Sequence, residues 1–377
     1  MKRKLLTALL CVTLAAGLLA GCGKKEKSEE TPAPETQEET SEEENEEPAA
    51  EAENLSFEIV SKGLQQQYWQ AVKNGVEQKA EELGVNVNFV GPASEADIND
   101  QVQMLENALN SSPSAIGLAA LDTNSVMDLL SQAMDKNVPI IGFDSGVPNA
   151  PEGSVQATCA TNNYAAGALA AEKIYEAVKD RIDGTVRIGV LTPDATADST
   201  IQRGLGFIDK IAELAKADNY TSTVVGNEKY VNDSQCEKTD NANVIIDVRV
   251  PASMTSELSA ADATSLMNEG DTVAIFAVNE HSANAIITAN ENLNKCGTGE
   301  GQIVAGGFDS GAAQVQAVRE GILIGSITQA PVEMGKILVQ NLYDAATGKP
   351  VEDTDTGCQW YTAENMDDPE IAQNLYE

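Results

Sequence analysis

The stretch Gly142-Phe143-Asp144-Ser145-Gly146 recurs, residue for residue, as Gly307-Phe308-Asp309-Ser310-Gly311. Each copy follows or overlaps a short apolar run, at residues 138–141 and 303–305. A continuous apolar run that ends in Gly and Asp is typical of a buried parallel strand at its carboxyl end, which is where open α/β sheets bind ligands. Gly and Asp are also common turn formers, so the repeat by itself favours a binding role and an ordinary turn equally.

The segments before the first pentapeptide alternate between strand-like and helix-like patterns. Residues 68–83 carry apolar side chains at steps of three and four, which predicts an amphipathic helix, and Gly84 is placed to end it. Strands are predicted on both sides of this helix, at residues 57–60 and 86–90, and the β-α step repeats up to the pentapeptide. A row of such units predicts a parallel, doubly wound sheet.

A second series of β-α units begins after a predicted strand at residues 155–159. Two series predict an α/β fold with two doubly wound, parallel-sheet lobes, and a chain of 377 residues is long enough for two domains. Residues 218–243 do not fit a simple β-α unit. Their two polar clusters indicate an inserted hairpin or loop at this point.

The first 54 residues differ from the rest. Residues 1–21 start with three basic side chains, continue with an apolar run that is short for a membrane span and end in small residues, which is the pattern of a secretion signal peptide. Leu19-Ala20-Gly21-Cys22 resembles the lipobox of bacterial lipoproteins, in which the Cys carries the lipid; a simple signal peptide with a chance Cys22 is the alternative. Residues 22–54 hold thirteen Glu, three Lys and little that is apolar, so they are predicted to be a disordered acidic tether.

Charge and cysteine content narrow the possible partners. The formal net charge of −35 argues against nucleic acid, whose binding requires a basic face.

Four cysteines follow the tether, Cys159, Cys236, Cys296 and Cys358, and none forms a C-x-x-C pair. An even number outside the cytoplasm permits disulfides in three pairings. A metal site is not expected, because the chain contains a single histidine, His281.

Catalytic motifs are missing from the sequence. It contains no Gly-x-Ser-x-Gly elbow and no phosphate-binding loop, so neither an enzyme nor a cofactor is expected. Asp144 and Asp309 could still act as paired acids of a secreted glycoside-acting enzyme, which is kept as an alternative.

Polar and aromatic side chains stand at the predicted strand ends. Carboxylate, amide and guanidinium groups each engage two adjacent hydroxyls in a fork, and aromatic rings suit the apolar faces of a sugar. Residues of these kinds are Gln66, Tyr68, Trp69, Asp144, Arg203, Asn279, Asp309 and Gln329. They predict a polyol-binding site, with a place in the core of the first helix as the alternative for Tyr68 and Trp69.

Residues 56–366 resemble the ribose/galactose-type periplasmic binding proteins, relatives of the ligand-binding domain of the lactose-repressor family. The resemblance is carried by short stretches in the same order: Gln66-Gln67-Tyr68-Trp69, Gly142-Phe143-Asp144, Arg203-x-x-Gly206-Phe207, Asn279-Glu280-x-x-Ala283, Gly307-Phe308-Asp309 and Ile327-Thr328-Gln329. It implies two lobes joined by three hinge crossovers, with one sugar in the cleft. Residues 55–161 and 330–357 would then form the N-terminal lobe, and residues 162–329 and 358–377 the C-terminal lobe.

The resemblance also implies a role for each matching residue. Tyr68 and Trp69 stack on the sugar ring. The side chains that hydrogen-bond the sugar come from both lobes and from one crossover, and they are Gln66, Asp144, Arg203, Asn279, Asp309 and Gln329.

The chain departs from the family pattern at two of these places. Ser145 stands where sugar binders often have Arg or a similar donor, and Glu280 stands where Asp is usual. Residues 218–243 also leave the aromatic of the second lobe unidentified, so the identity of the sugar stays open. The resemblance places Cys236 and Cys296 in second-lobe loops, and these two are predicted to form a disulfide, with Cys159–Cys358 as the less favoured pair.

The function implied is that of a monomeric, extracytoplasmic lipoprotein that captures a monosaccharide or a similar small polyol. It would be anchored to the cell membrane through Cys22 and would present the sugar to the transmembrane subunits of an ABC permease. A sugar-sensing receptor for a signalling partner is an alternative. A repressor is not expected, because a signal peptide takes the place of the DNA-binding helix-turn-helix.

Overall fold

The computed structural model of this protein describes residues 55–376, so the predicted signal peptide, the acidic tether and Cys22 lie outside the described residues. In chain order, the strands are β1 (Ser56–Val60), β2 (Asn86–Val90), β3 (Ala115–Leu118), β4 (Ile140–Phe143), β5 (Ala157–Ala160), β6 (Val186–Leu191), β7 (Ser222–Gly226), β8 (Val244–Arg249), β9 (Thr272–Ala277), β10 (Val304–Phe308), β11 (Gly325–Gln329), β12 (Thr354–Asp355) and β13 (Cys358–Tyr361).

The α-helices alternate with these strands along most of the chain. They are α1 (Gln67–Leu83), α2 (Ile98–Asn110), α3 (Met127–Asp135), α4 (Asn163–Val178), α5 (Asp198–Ala217), α6 (Glu228–Asp233), α7 (Ser256–Asn268), α8 (Glu280–Leu293), α9 (Ala312–Arg319), α10 (Pro331–Ala346) and α11 (Pro369–Ala372). Helix α1 ends at Gly84, whose φ of 68° is left-handed and whose N–H bonds back to the last turn, as predicted. Within residues 55–376, no helix is both long and apolar enough to span a membrane.

The strands form two sheets. The first has the order β2-β1-β3-β4-β5-β12 and is parallel throughout. The second has the order β7-β8-β6-β9-β10-β11-β13, with β13 as its one antiparallel strand. Strands β3 and β4 are buried along their whole length, which explains their continuous apolar runs. The predicted fold class of two doubly wound lobes is therefore confirmed.

The chain passes between the two sheets three times. From β5 it continues into α4, which packs on α5 and on strands β9 and β10 of the second sheet. From β11 it returns through α10, which packs on α1, β3 and β4 of the first. From β12 it crosses to β13. The exact residue limits of the two lobes stay a prediction.

Two close helix contacts fix the positions of α1 and α5. A Cβ atom at Gly75 of α1 would overlap the backbone carbonyl of Val332 on α10. A Cβ atom at Gly167 of α4 would overlap the backbone carbonyl of Arg203 on α5 in the same way. Glycine is required at both positions because the two helices of each pair nearly touch backbone to backbone.

The interpretation of residues 218–243 as an inserted hairpin or loop was wrong. They contain β7, which pairs in parallel with β8, and the short helix α6, so they form one more β-α unit. Strand β7 is the edge of its sheet, and among its residues only Val224 is buried. An edge strand this exposed lacks the apolar run that marked the other strands.

The predicted Cys236–Cys296 disulfide is also wrong, because Cys159, Cys236, Cys296 and Cys358 are all free thiols. The Cys236 thiol lies 3.4 Å from Ser222 Oγ at the start of β7, whereas Cys296 is bridged to the residue just before β10. Three strands separate β7 from β10, which is about 19 Å at ordinary strand spacing. A disulfide requires Cα atoms within about 7 Å.

Candidate ligand-binding site

Polar side chains gather where the carboxyl ends of the two sheets face each other. Lys62 follows β1 and Asp144 follows β4 in the first sheet, while Asn279 follows β9 and Asp309 follows β10 in the second. All four are at least nine-tenths buried. Carboxyl ends of parallel strands are the expected ligand-binding edge of such sheets, so the two edges together define a candidate site between the lobes.

Asp144 is the centre of the first-lobe half of this site. The Tyr68 hydroxyl donates a hydrogen bond of 2.8 Å to its Oδ1, and Lys62 Nζ lies 2.7 Å from its Oδ2. Burial and the neighbouring Asp144 raise the pKa of Tyr68 well above its ordinary value. Tyr68 is therefore neutral and acts as a donor toward this carboxylate.

Asp309 is held on the second-lobe side by backbone and side-chain donors. Gln329 Nε2 donates to its Oδ1 at 2.7 Å, and the backbone N–H of Glu280 donates to its Oδ2 at 2.9 Å. Burial raises the pKa of Asp309, and the nearby guanidinium of Arg203 opposes this shift. The carboxylate is thus fixed in orientation by groups of its own lobe.

The two aspartates of the repeated pentapeptide share an uncommon backbone conformation. The φ angle is 59° at Asp144 and 80° at Asp309, which is the left-handed region that few residues other than Gly adopt. Such conformations cost free energy and persist where the surroundings determine them. The repetition in sequence therefore corresponds to the same turn at the same strand end of each sheet.

Arg203 connects several parts of the site through its guanidinium. Nη2 donates to Gln329 Oε1 at 3.2 Å, Nη1 donates to the carbonyl of Val278 at 3.2 Å, and Nε donates to Asn163 Oδ1 at 2.8 Å. Its Cζ lies 3.8 Å from the ring centre of Phe308, the aromatic residue of the second pentapeptide. This planar, stacked arrangement requires Arg rather than Lys.

Asn279 and Gln66 stand at the N-termini of two helices beside the site. Asn279 Oδ1 accepts a 3.0 Å hydrogen bond from the backbone N–H of Ser282 and so caps α8. Gln66 precedes α1 at its N-terminus without capping it through the side chain. Together with Trp69 and Glu95, Gln66 lines a cavity of about 260 Å³ that also touches His281 from the second lobe.

Trp69 packs as a core residue of the first lobe. Its ring is edge-to-face with Tyr68 at a centroid distance of 4.9 Å and with Phe143 at 6.1 Å, and it is 1 % exposed. Its Nε1 donates to Glu95 Oε1 at 2.8 Å. The edge of the Trp69 ring therefore lies beside the site, whereas Tyr68 contacts Asp144 through its hydroxyl.

Glu280 joins the two lobes. Its carboxylate, on the second lobe, accepts hydrogen bonds from the backbone N–H groups of Gln67 and Tyr68 at the start of α1. Gln67 Oε1 in turn accepts a 2.8 Å hydrogen bond from the backbone N–H of Ala312. Burial, Asp309 and Glu95 raise the pKa of Glu280 to about 8. The lobes of this structure are therefore closed against each other around a buried carboxyl group whose pKa lies well above its ordinary value.

Further contacts join the lobes on the other side of Asp144. Ser199, at the start of α5, receives a 2.9 Å hydrogen bond from Lys62 Nζ and donates its backbone N–H to Ser145 Oγ at 3.1 Å. Ser145 thus serves as an interlobe acceptor. Within the described part of the chain, no group of three or more His, Cys, Asp and Glu could hold a metal ion.

Sequence reasoning placed the eight predicted residues around one cleft, and the structure shows which of them touch. Tyr68 contacts Asp144, and Arg203, Gln329 and Asp309 form one chain of hydrogen bonds. Trp69, Gln66 and Asn279 lie beside these groups without bonding to them. The residues that were not predicted include Lys62 and Glu95.

Lys62 had a signal that could have been used, because it lies two positions beyond the apolar run of β1. Glu95 had no such signal in the sequence. It lies in a loop after β2, and only the fold brings it to the site, where it accepts a hydrogen bond from Trp69.

A sequence model described as "Periplasmic binding protein domain" matches residues 57–350. The chain belongs to this family. Among individual periplasmic binding proteins, it is 26% identical over 290 residues to the ribose import binding protein RbsB of Haemophilus influenzae, covering 76% of this chain and 83% of that protein. It is 28% identical over 124 residues to the D-allose-binding periplasmic protein of Escherichia coli, but that match covers 32% of this chain and 40% of that protein.

A solved periplasmic binding protein structure has the same fold. It is an ABC transporter solute binding protein from Agrobacterium vitis with bound D-fucose, and it matches with a TM-score of 0.72 and 28% identity. The match covers 85% of this chain and 100% of that one.

Proposed function

We propose that this periplasmic binding protein captures a monosaccharide, or a similarly small polyol, between its lobes and delivers it to the transmembrane subunits of an ABC import permease. The observation that carries this proposal is the pair of buried carboxylates, Asp144 and Asp309, presented by equivalent turns of the two lobes. Carboxylates in this setting accept hydrogen bonds from sugar hydroxyls. The ribose, allose and D-fucose named for the relatives support a sugar as the ligand.

Each predicted site residue has a role in this proposal. Asp144 accepts hydroxyls from the first lobe, and Asp309 accepts them from the second. Gln329 holds Asp309 and is itself held by Arg203, and both donate to sugar oxygens. Asn279 adds an amide donor, and the ring of Tyr68 covers an apolar face of the sugar. Trp69 and Gln66 form the neighbouring wall. No catalytic step is proposed, because the sequence contains no catalytic motif to accompany the two aspartates.

Ligand binding drives closure in this proposal. A sugar that contacts both lobes binds the closed form more tightly than the open form and shifts the population toward it. The permease then recognises the closed form, and its ATPase supplies the energy for import. We further propose that the protein acts as a monomer outside the cell membrane and is held there by a lipid on Cys22 at the start of the acidic tether.

A thermal-shift screen of the purified protein tests the ligand class. D-Ribose, D-allose, D-fucose, D-arabinose and D-galactose are suitable probes, and one or more should raise the melting temperature without being chemically changed. A rise with no product supports a receptor, product formation from a glycoside would instead indicate an enzyme, and no shift with any probe would overturn the sugar assignment. Asp144→Ala and Asp309→Ala should each abolish the shift.

Delivery is tested separately from binding. Uptake of the best radiolabelled sugar should fall in cells that lack this protein and recover when it is restored. Normal uptake without the protein, together with confirmed binding, would favour a sensory receptor over a transport receptor.

A further inference from the structure

A single hydroxyl group lies where the three crossovers between the sheets meet. Thr161 follows β5 in the first crossover, Gln329 ends β11 at the second, and Gly357 lies between β12 and β13 in the third. Thr161 Oγ1 donates to Gln329 Oε1 at 2.9 Å and lies 3.3 Å from the carbonyl oxygen of Gly357. The buried side chain of Thr161 is therefore in hydrogen-bond contact with both of the other crossovers.

The contact between Thr161 and Gln329 continues into the candidate ligand-binding site. Gln329 Oε1 also accepts a 3.2 Å hydrogen bond from Arg203 Nη2, and Gln329 Nε2 donates to Asp309 Oδ1 at 2.7 Å. A flipped amide would place its NH₂ group against two donors and its oxygen against a carboxylate. The hydroxyl of Thr161 and the guanidinium of Arg203 thus keep an N–H donor of Gln329 on Asp309.

We propose that Thr161 is a positioning residue for sugar binding. Its hydroxyl holds Gln329 at the point where the crossovers meet, and through Gln329 it orients the Asp309 carboxylate toward the ligand. This inference rests on the proposed function and adds to it a residue that does not touch the sugar. Because removing one partner of a buried hydrogen bond leaves the other partner unsatisfied, loss of the Thr161 hydroxyl should be felt at Asp309.

A second link between crossovers bypasses the site. Asp355 Oδ1 accepts hydrogen bonds from the backbone N–H groups of Asn162 at 3.0 Å and Gly357 at 2.9 Å, so it joins the first crossover to the third. Asp355 is exposed, and neither of these two bonds involves Gln329. Of the two links, the one at Thr161 continues to Asp309, and this difference makes the proposal testable.

The test is isothermal titration with the sugar that raises the melting temperature most. Thr161→Val removes the hydroxyl with almost no change of shape and should weaken binding by at least about fivefold. Thr161→Ser keeps the hydroxyl and should stay within about twofold of the wild type. Thr161→Ala removes the hydroxyl without adding bulk against Gln329 and should give the same loss, so it decides the question if the Val variant folds poorly.

Two control variants separate positioning of the site from a general loss of stability. Thr272→Val removes a hydroxyl that donates to the Leu266 carbonyl at 2.7 Å, at the start of β9 and so at the end of the strand away from the site. It should lower the melting temperature, as Thr161→Val does, but keep the affinity within about twofold of the wild type. Asp355→Ala breaks the second link between crossovers and should also keep the affinity within about twofold.

The outcomes separate this inference from the proposed function. Wild-type affinity in folded Thr161→Val or Thr161→Ala would overturn the positioning role and leave the proposed function intact. An equal loss in Thr161→Ser would overturn it as well, because the hydroxyl would then not be the group that matters. A loss in Asp355→Ala as large as in Thr161→Val would assign the effect to the crossovers as a whole and overturn the role of the Gln329 contact. Binding of no sugar by the wild type would overturn the proposed function and this inference with it.

Discussion

Lys62 and Asp144 form a buried ion pair in the first lobe, with Nζ 2.7 Å from Oδ2 and side chains that are 7 % and 2 % exposed. Burial alone would lower the pKa of Lys62, but Asp144 and Glu95 outweigh this effect and raise it. The ammonium group is therefore charged in the folded protein, and the Asp144 carboxylate has a counter-ion inside the site.

Replacing Lys62 by Met should destabilise the protein by about 3 kcal/mol, because it leaves Asp144 buried without its cation. Urea unfolding followed by circular dichroism measures the change. Lys73→Met is the matched control, since the Lys73 side chain is 40% exposed and its pair with Glu77 spans one helical turn; its effect should stay below about 0.5 kcal/mol. Equal unfolding midpoints for Lys62→Met and the wild type would contradict the importance of this pair.

The sequence predicts those features of the fold and the site that depend on residues close together in the chain. The positions of Asp144 and Asp309 at strand ends could be predicted because a strand, its end and its turn are local features. Lys62 and Glu95 were missed, because their partners are brought together only by sheet order and helix packing.

The errors in the fold have equally specific causes. Strand β7 is an edge strand with a mostly solvated surface, so its sequence resembles a loop. The Cys236–Cys296 pairing was chosen from family topology without distances. The order of the second sheet, which separates β7 from β10, cannot be read from the chain of β-α units alone.

Replacing Arg203 by Lys should weaken sugar binding by about tenfold or more, although the charge is kept. An ammonium group has three donors on one nitrogen, so it lacks the planar fork by which three guanidinium nitrogens reach Asn163, Gln329 and the Val278 carbonyl, and it cannot stack flat on Phe308. Isothermal titration measures the loss. Arg181→Lys is the control, because Arg181 also bonds two backbone carbonyls but at Thr298 and Gln302, which are not among the site residues. Unchanged affinity in Arg203→Lys would show that the fork geometry is not needed.

Glu280 should make ligand binding depend on pH. Its pKa is about 8 in the closed form, against an ordinary value of 4.5, so closure takes up a proton between these two pH values. The contribution to closure is fully present below pH 4.5 and is lost as pH rises through about 8. Sugar affinity should therefore be at least about tenfold higher at pH 6 than at pH 8.5.

The measurement for Glu280 is titration in two buffers of different ionisation enthalpy, which counts the protons taken up. The groups that face Glu280 are Asp309, Glu95 and the Tyr376 hydroxyl. Glu280→Gln imitates the protonated form and should give an affinity that no longer changes over this range. Glu257→Gln, on an exposed face of α7, should retain the wild-type profile. A steep profile that persists in Glu280→Gln would assign the titration to another group.

Reducing agents should leave the stability of the folded protein unchanged, because Cys159, Cys236, Cys296 and Cys358 are free thiols. Alkylation under denaturing, non-reducing conditions followed by peptide mass mapping should find all four modified and no cross-linked peptide. A linked pair of peptides carrying Cys236 and Cys296 would contradict the strand order between them.

Replacing Gly75 by Ala should destabilise the protein by about 1–3 kcal/mol, even though Ala is the better helix former. The added methyl group would overlap the Val332 carbonyl and push α10 away from α1, and α1 carries Gln67 and Tyr68 into the site. Gly270→Ala is the matched control, because a Cβ there meets no atom within 4 Å. Sugar affinity should fall in the Gly75 variant alone, since displacement of α1 moves the amide groups that Glu280 binds on closure. A stable Gly75→Ala protein with normal affinity would show that the two helices can separate without disturbing the cleft.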